Sequence, residues 1–330
     1  MSRKLITIST IMTLMSTSVI ADVPNVAADI APIHSLVSRV MDGVGAPKLI
    51  VQSGASPHGY RLRPSEAKAL QDADHVFWMG EELTPWLDSA IGTLASKASV
   101  TTLLDQQGVI LHDFREGALF EAHDHSAHGD DDHDDHDDHD DHDDHKDHDD
   151  HDDHDDHDDH GSHDPHAWLS PENAKLWLNI IASKLSVSDP ENAATYFMNA
   201  AAGQAEIEAM IAEVKATLKP VQGGKFVVFH DAYQYFENDF DFYASGAISL
   251  GDSSDPSPAR IEKVQKRIRD EGIQCVLAEP QFKKGLVATV MEGSDATASV
   301  IDPLGAELET GPKLYTRLIK NMAKTLRNCL

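Results

Sequence analysis

The chain has 330 residues, a formal net charge of −29 at pH 7, 20 histidines and two cysteines. Most of the charge lies in one place: residues 123–160 hold 21 Asp against a single Lys, so the remainder is only moderately acidic. With no basic stripe to neutralise phosphates, nucleic acid is disfavoured as a partner, and two thiols alone cannot complete a zinc site.

At the N-terminus Arg3 and Lys4 precede an uncharged stretch, Leu5 to Ile20, that closes on Val19-Ile20-Ala21. A charged segment, an apolar segment and a small residue in that order predict a secretory signal peptide over 1–21. The stretch is short for a membrane span, and no later segment is apolar enough to cross a bilayer. The mature chain is therefore expected to be exported and soluble. In an exported chain an even pair of cysteines predicts one disulfide, Cys275 to Cys329.

The remaining residues suffice for two modest domains. A short strand leads into a helix over 29–41, then a strand over 48–51. A helix over 64–72 opens on Pro64 and places Ala67, Leu70 and Ala73 on one face. A buried strand over 75–79, a helix over 82–95 and a short strand near 109–111 follow. The alternation predicts βα units on a mainly parallel sheet, a first lobe covering 22–187. Within it, residues 123–163 are expected to form an exposed, disordered loop.

That loop repeats Asp-Asp-His. Residues 123–166 hold 15 of the 20 histidines, and neutral imidazole is the commonest protein ligand for zinc and its neighbours. An inert solubilising spacer is the bland alternative, but Asp or Glu alone would serve that purpose. Every triplet offers the same ligands as the next, so the run cannot be the selective site. It reads as an auxiliary metal loop, with His133, His136, His139, His142, His145, His148, His151, His154, His157 and His160 as collectors.

Beyond the loop, Asp189-Pro190 predicts a helix start. Apolar residues recur from Ala193 to Leu218 with few breaks, which predicts a spanning linker helix over 188–219, a rod of about 40 Å. The βα pattern resumes over 220–330, with strands at 226–229, 275–279 and 300–302 and helices at 259–271, 285–291 and 312–326. The expected fold class is α/β: two βα lobes with mainly parallel sheets, joined by one long spanning helix, with a metal site in the cleft between them.

Outside the run the histidines are few. His58 follows a predicted strand in Gly-Ala-Ser-Pro-His, His166 lies in Asp-Pro-His-Ala-Trp-Leu-Ser-Pro, and His230 ends Phe-Val-Val-Phe-His. Ligands of α/β sheets bind beyond the carboxyl ends of strands, where such residues sit. Three imidazoles from separate loops make a zinc-type set with room for a fourth ligand. His34 reads as a capping or surface residue, His75 as a core-edge histidine, and His112 has no assignment. Glu279, after a strand, reads as lining the cleft. Trp78, Trp86, Trp168 and Trp177 read as core and cleft walls.

These segments, with Gly-Ala-Ser-Pro-His-Gly-Tyr-Arg-Leu-Arg-Pro-Ser, Phe-His-Asp-Ala-Tyr-Gln-Tyr-Phe and Ala-Glu-Pro-Gln-Phe, resemble the periplasmic zinc-binding proteins of high-affinity zinc ABC importers. The resemblance covers essentially the whole mature chain, including the His-rich insertion. It implies His58, His166 and His230 as zinc ligands, Zn²⁺ as the transported ion, an ABC permease as partner and no enzymatic activity. Some relatives carry a Glu where this chain has Pro57; others use an Asp after a late strand, which implies Asp302 or water in the fourth position. The chain is expected to act as a monomer, with other periplasmic zinc proteins as further partners. The competing readings are a zinc hydrolase, a manganese or iron carrier, and a periplasmic zinc buffer or chaperone.

Overall fold

The computed structural model describes residues 23–115, 120, 163–249, 256–281 and 284–330. The expected signal peptide and the run histidines from His133 to His160 lie outside the described residues.

Each lobe is built on a four-stranded parallel sheet. In the first, β1 (Val26–Ala28), β2 (Lys48–Leu49), β3 (His75–Trp78) and β4 (Ser99–Thr102) lie in the order β2-β1-β3-β4. In the second, β5 (Phe226–His230), β6 (Ala247–Ser249), β7 (Cys275–Ala278) and β8 (Thr297–Val300) repeat that order as β6-β5-β7-β8. The inner strands are almost wholly buried. They read as apolar runs rather than alternating ones because both faces of a parallel sheet are covered. Edge strands β4 and β8 are mostly exposed; β4 and the three-residue β6 carry too weak a pattern to be read from sequence. In each sheet the chain leaves its first strand to one side and later returns on the other. A crevice therefore opens beyond the carboxyl ends of β1 and β3, and another beyond β5 and β7.

Helices α1 (Ala31–Val40), α2 (Pro64–Gln71) and α3 (Pro85–Leu94) serve the first lobe. In α2 the Glu66 carboxylate turns back to accept the Arg63 amide at 2.8 Å, closing the first turn. Two helices then pack as a hairpin, α4 (Pro171–Ser188) and α5 (Ala193–Leu218). Gly203 permits their close approach: a Cβ there would lie 2.9 Å from Leu178. The second lobe carries α6 (Gln234–Phe240), α7 (Pro258–Glu271), α8 (Lys284–Val290) and α9 (Leu314–Cys329).

The long rod is present, with its start displaced. Asp189 does not cap α5; fully buried, its Oδ2 accepts from Asn192 Nδ2 and the Tyr196 hydroxyl, both at 2.7 Å. A buried carboxylate takes the nearest side-chain donors, so it fastens the α4–α5 turn and the helix begins at Ala193. Residues 109–111 form no strand; the chain pairs instead through an isolated antiparallel bridge, Asp113 to His163. The last strand lies earlier than expected, at Thr297–Val300.

One apolar core runs through both lobes. It joins Val37 of α1, Trp168, Tyr196 of α5, Tyr235 and Phe236 of α6, and Leu314 and Leu318 of α9. Hydrogen bonds reinforce it: Trp168 Nε1 donates to Pro303 O at 2.8 Å, the Tyr315 hydroxyl to Trp168 O at 2.9 Å, and the Ser35 hydroxyl to Gly311 O at 2.7 Å. Opening the lobes would expose this core; burying a Phe or Leu side chain contributes about 1.5–3 kcal/mol. The Cys275–Cys329 disulfide fastens the end of α9 to β7, with Cα atoms 5.5 Å apart. No helix among the described residues is long and apolar enough to cross a membrane.

Candidate metal centre

Three imidazoles converge where the two crevices face each other. His58 sits on the loop between β2 and α2, which turns at Gly54 with φ +82°. Trp86 of α3 supports that loop, its Nε1 donating to Pro57 O at 2.6 Å. His166 lies just before the short turn that leads into α4. Its amide and its Nδ1 both meet Asp164 Oδ1, at 2.9 and 2.6 Å. His230 is the last residue of β5, and its Nδ1 meets Glu279 Oε1 at 2.5 Å. The parallel register pairs Phe226 with Cys275 and Val228 with Leu277, so Glu279 falls opposite His230 at the switch point of the sheet.

The candidate ligand atoms of the three histidines all lie within 4.8 Å of one another. His166 Nε2 and His230 Nε2 are 3.3 Å apart. Two nitrogens held tetrahedrally by zinc at about 2.0–2.1 Å stand about 3.3–3.4 Å apart, so this spacing suits a pair of ligands. Buried carboxylates fix the tautomers: each Nδ1–H donates to one, and the two Nε2 lone pairs then face each other. A cation between them satisfies that arrangement. The space lined by the three rings, Pro57, Trp168, Gln281, Pro303 and Leu304 is about 10 Å³. That is room for an ion or a water, not for an organic molecule.

Asp302 does not join the group. Its Oδ1 accepts the amides of Leu304 and Gly305 at 3.0 and 2.8 Å, and its Oδ2 accepts that of Ala306 at 2.6 Å. The carboxylate folds the loop that walls the site. Among the described residues, His34, His75 and His112 lie elsewhere. His34 is buried rather than on the surface, because α1 packs it against the β2 segment, where Nε2 meets Pro47 O at 3.1 Å. His75 is buried in β3 against Ser188 Oγ at 2.7 Å. His112 packs its ring on Tyr235, with centroids 4.7 Å apart. Trp168 walls the site 5.2 Å from the His166 ring, while Trp78 and Trp177 belong to the cores.

Charge around the histidines is strongly negative. Asp164, Asp231, Glu237 and Glu279 are all buried, and Arg115 is the cation that pairs with two of them, Asp231 and Glu237. Burial pushes both of those carboxyls above their ordinary range, against the pull of the guanidinium. Burial alone would lower Arg115, but Glu237 and Asp231 outweigh it and hold the guanidinium charged. Buried carboxylates thus surround the histidines, a setting that favours a divalent cation.

Asp164 and Arg115 escaped the sequence reading, and Glu279 was read only as lining. Asp164 had a local signal, an acid two residues before a histidine. Glu279 stands 49 residues from His230, and only the β5–β7 register joins them.

The chain is similar to known proteins over most of its length. Residues 26–329 match the family described as zinc-uptake complex component A, periplasmic. The high-affinity zinc uptake system protein ZnuA of Brucella abortus (strain 2308) is 49% identical over 305 residues, 92% of this chain and 91% of its own. The protein of the same name from Paracoccus denitrificans is 45% identical over 311 residues, 94% and 93% of the two chains. A crystal structure of ZnuA superposes with TM-score 0.71 at 19% identity, over 93% of this chain and 99% of that one.

Proposed function

The chain belongs to the ZnuA family of periplasmic zinc-uptake components, and from that premise we propose that it captures Zn²⁺ on His58, His166 and His230 and delivers it to an ABC-type membrane permease. The observation that carries the ligand set is the convergence of three imidazoles, two of them with Nε2 atoms 3.3 Å apart and each backed by a buried carboxylate. We assign the fourth position to water, because Asp302 turns to the amides of its own loop and is not among the ligand atoms that converge. Three nitrogen donors favour zinc over manganese, which prefers oxygen, and over Fe²⁺, which such a set binds less tightly.

His58 and His166 come from the first lobe and His230 from the second, so bound metal cross-links the lobes. The shared core opposes a wide hinge, and ordering of the His58 loop is the motion that fits. Imidazole binds metal only when deprotonated, so affinity falls as pH drops through the histidine range. A space of about 10 Å³ among the rings suits an ion as cargo. The monomer suffices for this role.

The Asp/His run acts in this reading as an auxiliary collector. It is tethered a few residues from His166, so any metal held there is at high effective concentration for the site. Competitive zinc titration of the metal-stripped mature protein tests both parts. One tight site should vanish in a His58→Ala/His166→Ala/His230→Ala variant while weaker ones survive, and removal of 123–160 should leave the tight site in place. Survival of the tight site in the triple variant would make the run the binder and the protein a zinc buffer.

A further inference from the structure

The segments that flank the Asp/His run belong to the first lobe in sequence, yet they rest on the second. The amide of His112 donates to the Tyr235 hydroxyl at 3.1 Å, and that hydroxyl donates to Asp164 O at 2.7 Å. One side chain of α6 thus ties both flanks. Asp164 N also donates to His112 O at 2.8 Å, and Asn238 of α6 meets His112 Nε2 at 3.3 Å. Arg115 completes the seat. Its guanidinium contacts both oxygens of Asp231, the residue after His230, and both oxygens of Glu237 on α6. Its opposite face covers the Phe120 ring at 3.6 Å.

We propose that Arg115 is a positioning residue of the metal centre, a clamp that fastens the base of the Asp/His-rich segment to the second-lobe half of the site and so sets how long metal is held. Three observations support this over a purely structural ion pair. The planar fork engages two carboxylates from different positions, which fixes direction as well as distance. One of those carboxylates adjoins ligand His230. The same base continues through Asp164, whose Oδ1 holds His166. Arg115 acts through these carboxylates and sets the angle between a ligand loop from each lobe.

This inference rests on the three-histidine zinc reading, and the test separates the two. Zinc release from the full-length protein into excess chelator is followed by stopped flow for wild type, Arg115→Ala, and Arg39→Ala as control. Arg39 makes a comparable two-pronged contact to Glu206, at 3.2 and 3.1 Å between α1 and α5, away from the site. Release from Arg115→Ala should be about tenfold faster, the lower end for loss of a group that orients a metal ligand. Its Co²⁺-loaded form should show displaced d–d bands, while Arg39→Ala keeps the wild-type rate and spectrum. If Arg115→Ala does not fold, Arg115→Lys carries the test: it keeps charge but loses the fork, and faster release is expected. Release at the wild-type rate in the folded Arg115 variant, or equal acceleration in Arg39→Ala, overturns the clamp. Failure of wild type to bind zinc tightly overturns the metal reading and the clamp with it.

Discussion

Glu279→Gln probes the site without touching a ligand. Oε1 of Glu279 lies 2.5 Å from His230 Nδ1, and Oε2 lies 2.8 Å from Gln281 Nε2, with the carboxylate buried. The amide keeps the shape of the side chain, and its carbonyl still accepts from Nδ1–H. Its NH₂ then faces the Gln281 amide, which can rotate to present oxygen. What is lost is the negative charge that raises the basicity of the imidazole and holds its tautomer. Changes of this kind weaken metal binding about 10–100-fold, or about 1.4–2.7 kcal/mol. The assay is competitive zinc titration against a chelator of matched affinity, with thermal unfolding of the metal-free protein alongside. Affinity should fall while the metal-free melting temperature changes little, because the hydrogen bonds survive. Zinc binding within about twofold of wild type would refute the reasoning, since the carboxylate would then contribute no more than the neutral amide.

Asp302→Ala removes the acceptor of three amides and should cost about 1–3 kcal/mol of stability, with a smaller loss of zinc affinity than His58→Ala; equal losses of affinity by titration would make Asp302 a ligand. His75→Phe should leave chemical stability nearly unchanged at neutral pH, since it deletes a buried Nδ1 without a partner and Ser188 keeps its bond to Leu185 O. Burial holds His75 below its ordinary value of 6.5, so the unfolded chain binds the proton more readily and stability is lost as pH falls below about 6.5. His75→Phe should therefore shallow the acid slope of urea midpoints, and an unchanged slope would assign it to other groups such as His34. Cys275→Ala/Cys329→Ala opens a loop with a sequence separation of 54 residues and should lower unfolding free energy by about 4 kcal/mol in the chain-entropy treatment. Zinc affinity should persist in that variant, since neither sulfur nears the histidines; its loss would show that α9 must be pinned for the site to form.

Local chemistry made much of this molecule legible. The buried parallel strands announce themselves as apolar runs, Phe-Val-Val-Phe-His and Cys-Val-Leu-Ala, because covering both sheet faces leaves no alternation to obscure them. Pro64 and Pro258 mark helix starts through their fixed φ and missing amide, whereas the helix expected from residue 82 begins only at Pro85. The sequence singles out three histidines beside strand ends or in short loops, and the fold brings those three together. Signals failed where competition between partners decided the outcome. Asp189-Pro190 has the form of a helix start, yet the Asn192 and Tyr196 side chains took the carboxylate. Asp302 accepts three amides of its own loop, contacts that its sequence setting does not announce. His34 lacks any sign of burial until α1 packs. Residue type and local spacing by themselves determined the lobes, the rod and the metal chemistry, because these depend on properties each segment carries alone. Tertiary structure alone decided which carboxylate backs which imidazole and which base grips which lobe: His230 meets Glu279 through a sheet register across 49 residues, and Arg115 reaches Asp231 across 116. Hydrogen bonds act only at contact distance, and no segment by itself encodes which distant group the fold will bring there.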